Sequence, residues 1–514
     1  MSYNRGDTMP EGRLKNSIRN TVWGVACRII TILFPFIIRT VIIKKIGMDY
    51  AGLNGIFTSV LMMLSISELG FGAALVYSMY KPIAEADNEK VCALLNFYRK
   101  VYRIVGCIIL ALGLALLPFI RSFIHGEVPA DINVYVLYLV FLLNTVIGYF
   151  AFAYKSALLT ASQREDISNR IIIYVSVAMY TAQLVVLCLW KNYMVYVLLM
   201  PVFTVITNVV RAVVVDKVYP QYRCRGSIEK HELKGIYKNV GALVGDRLAA
   251  TVLLSSDTIV ISSVLGLTAV ACYNNYYMVI SAVRCLIMVL FDSIRPSVGN
   301  SIVTESREKN YRDFCKISSL FLWISGFCSI SMICLFQPFM RIWVGEEYLL
   351  SIATVIMFGV YFFGWKMLDV LVLYRDAAGM WWPDRFRPYV VSILNIAMNV
   401  IFVHLYGLKG VVFATLFTSV CISYPWILFI LFKGYFKDKL WNYLKQLARQ
   451  SGIVLIAGAL TYFLCQYVVA GYSIAKFTIR ILICAVVPNV IFMLTIARSS
   501  DVREIILKLT KGRI

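Results

Sequence analysis

The sequence predicts an all-α polytopic membrane protein with about 14 transmembrane helices, and three observations carry that prediction. Of 514 residues, 60% are hydrophobic and 15% charged, whereas a soluble domain averages about 45–50% apolar and about 25% charged residues. The apolar residues come in runs long enough to cross a bilayer, separated by short polar segments. A chain of this length accommodates one span plus a short loop about 14 times. Soluble, disordered and fibrous classes are excluded on composition alone.

The apolar runs fall near 17–43, 55–79, 92–120, 132–158, 170–190 and 194–214, then near 239–264, 268–294, 314–337, 350–374, 388–407 and 410–432, and finally near 450–470 and 477–497. Each is expected to be a helix, because a span in hydrocarbon must satisfy its backbone hydrogen bonds within itself. The first run lacks a small-residue cleavage site and is expected to stay as the first span. The net charge of +22 (50 Lys+Arg against 28 Asp+Glu) does not point to nucleic acid, since the cations cluster in short loops on alternate sides of the spans. That asymmetry predicts both termini in the cytoplasm.

The expected organisation is an N-lobe of six spans (1–214), a cytoplasmic linker (215–238), a C-lobe of six spans (239–432), and a segment 433–514 with an amphipathic helix, two more spans and a cytoplasmic tail. A parallel repeat supports the division: a shift of 219 residues lays Ile46-Gly47-Met48 on Leu265-Gly266-Leu267, Glu89-Lys90 on Glu308-Lys309, and Arg28 on Arg247. Stretches 433–449 and 499–511 carry Lys and Arg with Trp, Tyr and Leu at helical spacing, the pattern of helices lying on an anionic leaflet.

Thirteen cysteines lie almost entirely inside apolar runs, and no C-x-x-C pair occurs, so the sequence predicts neither a disulfide framework nor a metal site. The chain contains no GxxxxGK[ST], HExxH or GxSxG motif and no external domain, and it is not expected to be an enzyme. No cofactor is expected.

Charges inside the spans are costly, about 2.5–3.5 kcal/mol each on insertion scales, and therefore informative. Arg28 and Arg39 are eleven residues apart, three turns plus about 20°, which puts them on one face about 16 Å apart. Pro35 lies between them. Such a cationic stripe suits phosphate oxygens, which accept paired hydrogen bonds from guanidinium; the alternative for Arg39 is snorkelling toward Lys44. Arg284 and Arg247 are further candidates to line a cavity and hold a diphosphate. Glu68 and Asp257 can each pair with an arginine or take part in ion coupling. Lys366 and Asp369, at i and i+3, can neutralise one another, and Asp292 is expected to partner Arg295. Asn54, Asn274, Asn275 and Tyr276 lie at span ends, where they can contact sugar or simply form an interfacial belt.

The segment 36–103, running from FIIRT through GMDYAGLNG and SISELGFG, and the segment 374–417, beginning YRDAAGMWWPDRFRPY, resemble bacterial polysaccharide repeat-unit flippases. That family belongs to the superfamily of multidrug/oligosaccharidyl-lipid/polysaccharide exporters. The resemblance implies two six-helix lobes around a cavity, with two extra C-terminal helices. It implies alternating-access translocation of an undecaprenyl-diphosphate-linked oligosaccharide from the inner to the outer leaflet of the bacterial cell membrane, for capsule, exopolysaccharide or O-antigen synthesis. The family's diphosphate-holding role carries over to Arg39 in FIIRT, whereas Arg28 and Arg247 enter through the stripe and the repeat. Glu68 stands in the SELG pattern. Coupling to H+ or Na+, a monomeric state, and association with glycosyltransferases and a glycan polymerase are likewise implied by the resemblance. The rival reading is a cation-coupled multidrug extruder of the same superfamily. A glycan polymerase or ligase is disfavoured by the short outer loops.

Overall fold

The structure, a computed structural model, describes residues 10–65, 71–228, 233, 251–253, 255–468, 471 and 473–495. Glu68 and Arg247 lie outside the described residues, as does the stretch 499–511. Among the described residues every regular element is helical.

The first unit contains α1 (Pro10–Lys45), α2 (Met48–Leu64), α3 (Phe71–Ala84), α4 (Asn88–Leu116), α5 (Val134–Phe150), α6 (Ser156–Ala161), α7 (Glu165–Val185), α8 (Tyr193–Val218) and the first turn of α9 (Leu267–Thr304). The second contains the rest of α9, then α10 (Arg307–Trp343), α11 (Ile352–Ala377), α12 (Trp381–Asp384), α13 (Arg387–Tyr406), α14 (Leu408–Phe417), α15 (Tyr424–Leu431), α16 (Leu440–Phe463) and α17 (Ile474–Thr495). Contacts divide the chain between Ala271 and Cys272.

Among the described residues, eleven helices are long and apolar enough to cross a membrane, or twelve if α5 and α6, bent by 48° at their junction, form one span. The chain is a multi-pass membrane protein. The two other runs expected from the sequence, 55–79 and 239–264, both cross residues outside the described set.

The loop-to-helix transitions are written in short polar side chains. Asp87 caps α4 by accepting from the Lys90 amide, Asn133 caps α5 through Tyr135 and Val136, and Asn192 caps α8 through Val195. Ser306 and Ser351 do the same for α10 and α11. Each cap satisfies amides that the first helical turn leaves without a partner, worth about 1 kcal/mol. Among the described residues, four short π-helical segments (Val186–Trp190, Thr418–Ser423, Phe432–Phe436 and Leu464–Val468) interrupt or end spans.

The amphipathic stretch 433–449 does not form a separate surface helix. After the turns Phe432–Phe436 and Lys437–Lys439, the chain enters α16 at Leu440 and continues unbroken into the apolar span. Its apolar face is used internally: Tyr443 is 1% exposed and stacks on Phe432 at 5.4 Å. The basic and aromatic residues therefore form the first turns of a span. Of the expected linker 215–238, residues 215–218 end α8, and residues 219–228 are folded onto α4: Asn96 donates to the Gly226 carbonyl at 2.8 Å, and the Arg223 amide lies 3.2 Å from Cys92 Sγ. They help enclose a cavity of about 420 Å³ whose polar lining includes Arg99, Lys155, Asp216 and Arg223.

Candidate functional site

Arg28 and Arg39 are both half-buried on α1. The helix runs continuously through Pro35, so their eleven-residue spacing keeps the two guanidinium groups on one face. Its neighbours are α7 and α2, and Phe34 stacks on Tyr180 at 5.2 Å between the two arginines.

Around Arg39 the sequence GMDYAGLNG builds a polar and aromatic wall. Arg39 donates from Nη2 to the Ala271 carbonyl at 3.2 Å. Tyr193 and Tyr196 on α8, 1% and 3% exposed, lie close enough to feel the guanidinium charge, and the Tyr196 hydroxyl takes a hydrogen bond from Asn54. The Tyr193 hydroxyl donates to the Tyr50 carbonyl at 3.0 Å while its ring meets Tyr50 edge-on at 5.0 Å. The Tyr50 hydroxyl in turn donates to Asp131. Thr268 donates to Asp49 at 2.5 Å, fastening the first turn of α2 to the start of α9. Gly52 permits this approach: a Cβ there would stand 2.3 Å from the Leu267 carbonyl oxygen. A guanidinium held this way can present two parallel N–H groups to phosphate oxygens; the buried Tyr193 and Tyr196 brace the wall behind it, and the half-buried Asn54 offers an amide that can meet a sugar.

In the second unit, Arg284 lies over the Trp365 ring at 4.1 Å, and its Nε is buried without a hydrogen-bond partner. Beside it the fully buried Lys366 pairs with Asp369 and faces Trp365, Phe291 and Phe362 at 5.1–6.0 Å. The i, i+3 pair expected from the sequence thus forms, with Arg284 as a second cation next to it.

The other sequence candidates are placed differently. Asp257 is 3% exposed beside the buried Ser255 and Ser256. Asn54 and Asn274 are half-buried. Tyr276 is not available to sugar: it is 0% exposed, its hydroxyl donates to Gln337 at 3.0 Å and accepts from the Leu350 amide at 3.2 Å. Asn275, 1% exposed, is likewise interior. A polar run at a helix end does not disclose which side faces inward, and here two of its residues pack the unit's core. Arg295 pairs with Asp376 at 3.8 Å, across to the end of α11, in place of the expected Asp292.

Two clusters have no counterpart among the sequence expectations. Asp166, 0% exposed at the start of α7, lies 2.9 Å from Arg19, 3.0 Å from Arg164 and 3.3 Å from Arg170. Asn20 locks the same corner, accepting from the Asp166 amide and donating to the Gln163 carbonyl, both at 2.9 Å. Asp384, 1% exposed just before α13, pairs with Arg375 and, at 2.8 Å, with Arg387, which also donates to Ser423 at 2.9 Å. The signal for them is local: RED with a further arginine at 164–170, and DRFR at 384–387. Buried carboxylates surrounded by arginine fasten loops and span ends.

The family model for polysaccharide biosynthesis proteins matches residues 17–298, more than half of the chain. The chain belongs to this family. No curated protein matches it by sequence. Among solved structures, this polysaccharide biosynthesis protein is similar to lipid II flippase MurJ in an inward closed conformation, with a TM-score of 0.68 and 15% identity over 94% of this chain and 99% of that one. It is also similar to a multidrug resistance MATE family transporter of the MOP superfamily in an inward-facing conformation, with a TM-score of 0.65 and 15% identity over 80% and 95%. A MOP superfamily transporter from Pyrococcus furiosus, whose binding pocket is described as reversed in polarity, aligns with a TM-score of 0.58 and 13% identity over 84% and 98%. At these identities the likeness establishes the fold: the family member has the helical architecture shared by MurJ and MATE transporters.

Proposed function

We propose that this chain is a flippase that carries an undecaprenyl-diphosphate-linked oligosaccharide repeat unit from the inner to the outer leaflet of a bacterial cell membrane by alternating access. The observation that carries the reading is the pair of half-buried arginines on α1, with Arg39 set against Asn54, Tyr193 and Tyr196. A guanidinium inside a span is costly and marks a functional position, and a diphosphate is matched to its fork of donors. The nearby half-buried Asn54 amide supplies a contact of the kind sugars accept. Family membership and a MurJ-like fold are consistent with a lipid-linked substrate.

In this reading Arg28 and Arg39 hold the diphosphate, with Arg247 and Arg284 as further cationic contacts. The lipid tail stays in the bilayer, so charge never crosses hydrocarbon. Glu68 and Asp257 serve as coupling or ion-pairing groups for H+ or Na+. The lobes are 1–214 and 239–432, both termini are cytoplasmic, and a monomer suffices, working alongside glycosyltransferases and a polymerase. A multidrug extruder shares the fold, but organic cations would be repelled by arginines on α1. The deciding experiment is the lipid-linked glycan pool of cells depleted of the protein, resolved by leaflet. A complete repeat unit accumulating on the inner leaflet is the expected result. An unchanged pool would reject the flippase reading and direct attention to drug efflux.

A further inference from the structure

Three cysteines that are far apart in sequence meet inside the second unit. Cys334 on α10, Cys465 in the π turn Leu464–Val468 and Cys484 on α17 place their Sγ atoms within 4.8 Å of one another. They are 6%, 2% and 1% exposed. Around them lies an apolar cluster that includes Ile330, Met367, Val454 and Phe492. The sequence, in which no two of these cysteines are near each other, predicts no metal site; the fold supplies the proximity that spacing could not.

One buried free thiol behaves as a small hydrophobe and requires no explanation. Three converging from three helices are a ligand set. The Cys465 and Cys484 sulfurs are 3.9 Å apart, well beyond the roughly 2.05 Å of a disulfide. With metal–sulfur bonds of about 2.3 Å, two thiolates on one ion stand about 3.8–4.0 Å apart. The π turn shifts Cys465 off the regular helical period, and such turns recur at functional sites. Arg480, 2% exposed on α17, lies close enough to act on both Cys465 and Cys484.

We propose that Cys334, Cys465 and Cys484 bind one thiophilic divalent ion of the zinc group as three thiolates, fastening α16 and α17 to α10. Binding replaces three S–H bonds with three metal–sulfur bonds and releases three protons, with no change of oxidation state. The tris-thiolate complex of a divalent ion carries a single negative charge, and Arg480 offsets it. This charge balance suits a site closed off from water, where an uncompensated charge is costly. Soft thiolate ligands select such ions over magnesium or calcium. The proposal is independent of what the chain transports.

The test is titration of the full-length, reduced and metal-stripped protein in detergent with cadmium, read by thiolate-to-metal charge-transfer absorption and by proton release. Saturation at one ion and three protons per chain is expected. That saturation should be lost in Cys334→Ala, Cys465→Ala and Cys484→Ala. The Cys421→Ala variant, which removes an exposed thiol, should titrate like the parent. Absence of stoichiometric binding by the folded parent protein overturns the proposal without reference to any variant. So does binding that persists in all three alanine variants, or a Cys465–Cys484 disulfide in protein isolated from cells.

Discussion

Arg39 donates to the main-chain carbonyl of Ala271 at 3.2 Å, which ties the last turns of α1 to the first turn of α9. The arginine thus does two things: it positions α1 against a neighbouring backbone, and it sets a guanidinium among Asn54, Tyr193 and Tyr196. Replacing it with alanine removes both. We expect Arg39→Ala to abolish glycan export while the protein still inserts, measured by surface polysaccharide and by protein in the membrane fraction. Lysine restores the charge and can reach a carbonyl but loses the planar fork, so Arg39→Lys should rescue export only in part. Normal export by Arg39→Ala would remove this arginine from the mechanism.

The packing that brings α2 to α9 gives a second expectation. A methyl group at Gly52 would collide with the Leu267 carbonyl oxygen, since its Cβ would lie 2.3 Å away, and backbone cannot move aside as a side-chain tip can. Gly52→Ala should therefore cost about 1–3 kcal/mol, the range for overpacked sites. It should appear as a lower melting temperature of the detergent-solubilised protein. Gly299→Ala provides the control, because a methyl group at that position would meet nothing within 4 Å.

Much of this molecule can be read from its sequence, and what cannot follows from physical causes. Hydropathy locates the spans because the bilayer imposes their length and composition. Helical periodicity puts Arg28 and Arg39 on one face, because that relation lies within a single helix. The same logic finds Lys366 and Asp369. Contacts between helices are different: nothing in the sequence shows that Arg19 reaches Asp166 over nearly 150 residues or that Cys334, Cys465 and Cys484 meet. Tyr276 and Asn275 expose the complementary weakness. Their polarity suggests a wet face, whereas the fold uses Tyr276 to satisfy Gln337 and the Leu350 amide inside the unit.

The aromatic support of Arg284 is testable apart from its charge. Its guanidinium stands 4.1 Å from the Trp365 ring, in surroundings where cation–π attraction is worth about 0.5–2 kcal/mol. Trp365→Leu keeps the apolar bulk and removes the quadrupole. We expect a modest stability loss in that range by thermal unfolding, together with reduced export if Arg284 contacts substrate. Arg284→Ala should then reduce export at least as much, and unchanged export in both variants would make this stack purely structural.

Lys366 and Asp369 set a sharper thermodynamic test, because the lysine is 0% exposed and the aspartate 22%. Removing the carboxylate with Asp369→Asn strands a buried ammonium beside Arg284, and breaking such a pair costs about 3–5 kcal/mol. Removing the ammonium with Lys366→Met leaves a carboxylate with partial access to solvent, which should cost less. The double variant Lys366→Met/Asp369→Asn takes away both charges, so it should recover most of what Asp369→Asn loses. The measurement is a double-mutant cycle on the melting temperature of the purified protein. Additive losses would mean that the two side chains do not act as a pair.

Asp166, in the first turn of α7, and Asp384, which ends α12 just before α13, are each buried and held by arginines. Around Asp166 three guanidinium groups converge on the carboxylate, and Arg170 also stacks on Trp23 at 4.7 Å. Neutralising that carboxylate weakens the ionic hydrogen bonds that join α1 to α7. Asp166→Asn should therefore destabilise the first unit by about 1–3 kcal/mol, the cost of weakening hydrogen bonds to a buried charged group whose partners keep some access to solvent. Partial relief should come from adding Arg19→Met, which removes a cation from α1 while retaining an apolar side chain of similar reach. Thermal unfolding and limited proteolysis of the two variants would check this. If Asp166→Asn melts with the parent, or if Arg19→Met deepens the defect, the carboxylate is not what holds α1 to α7 at this corner.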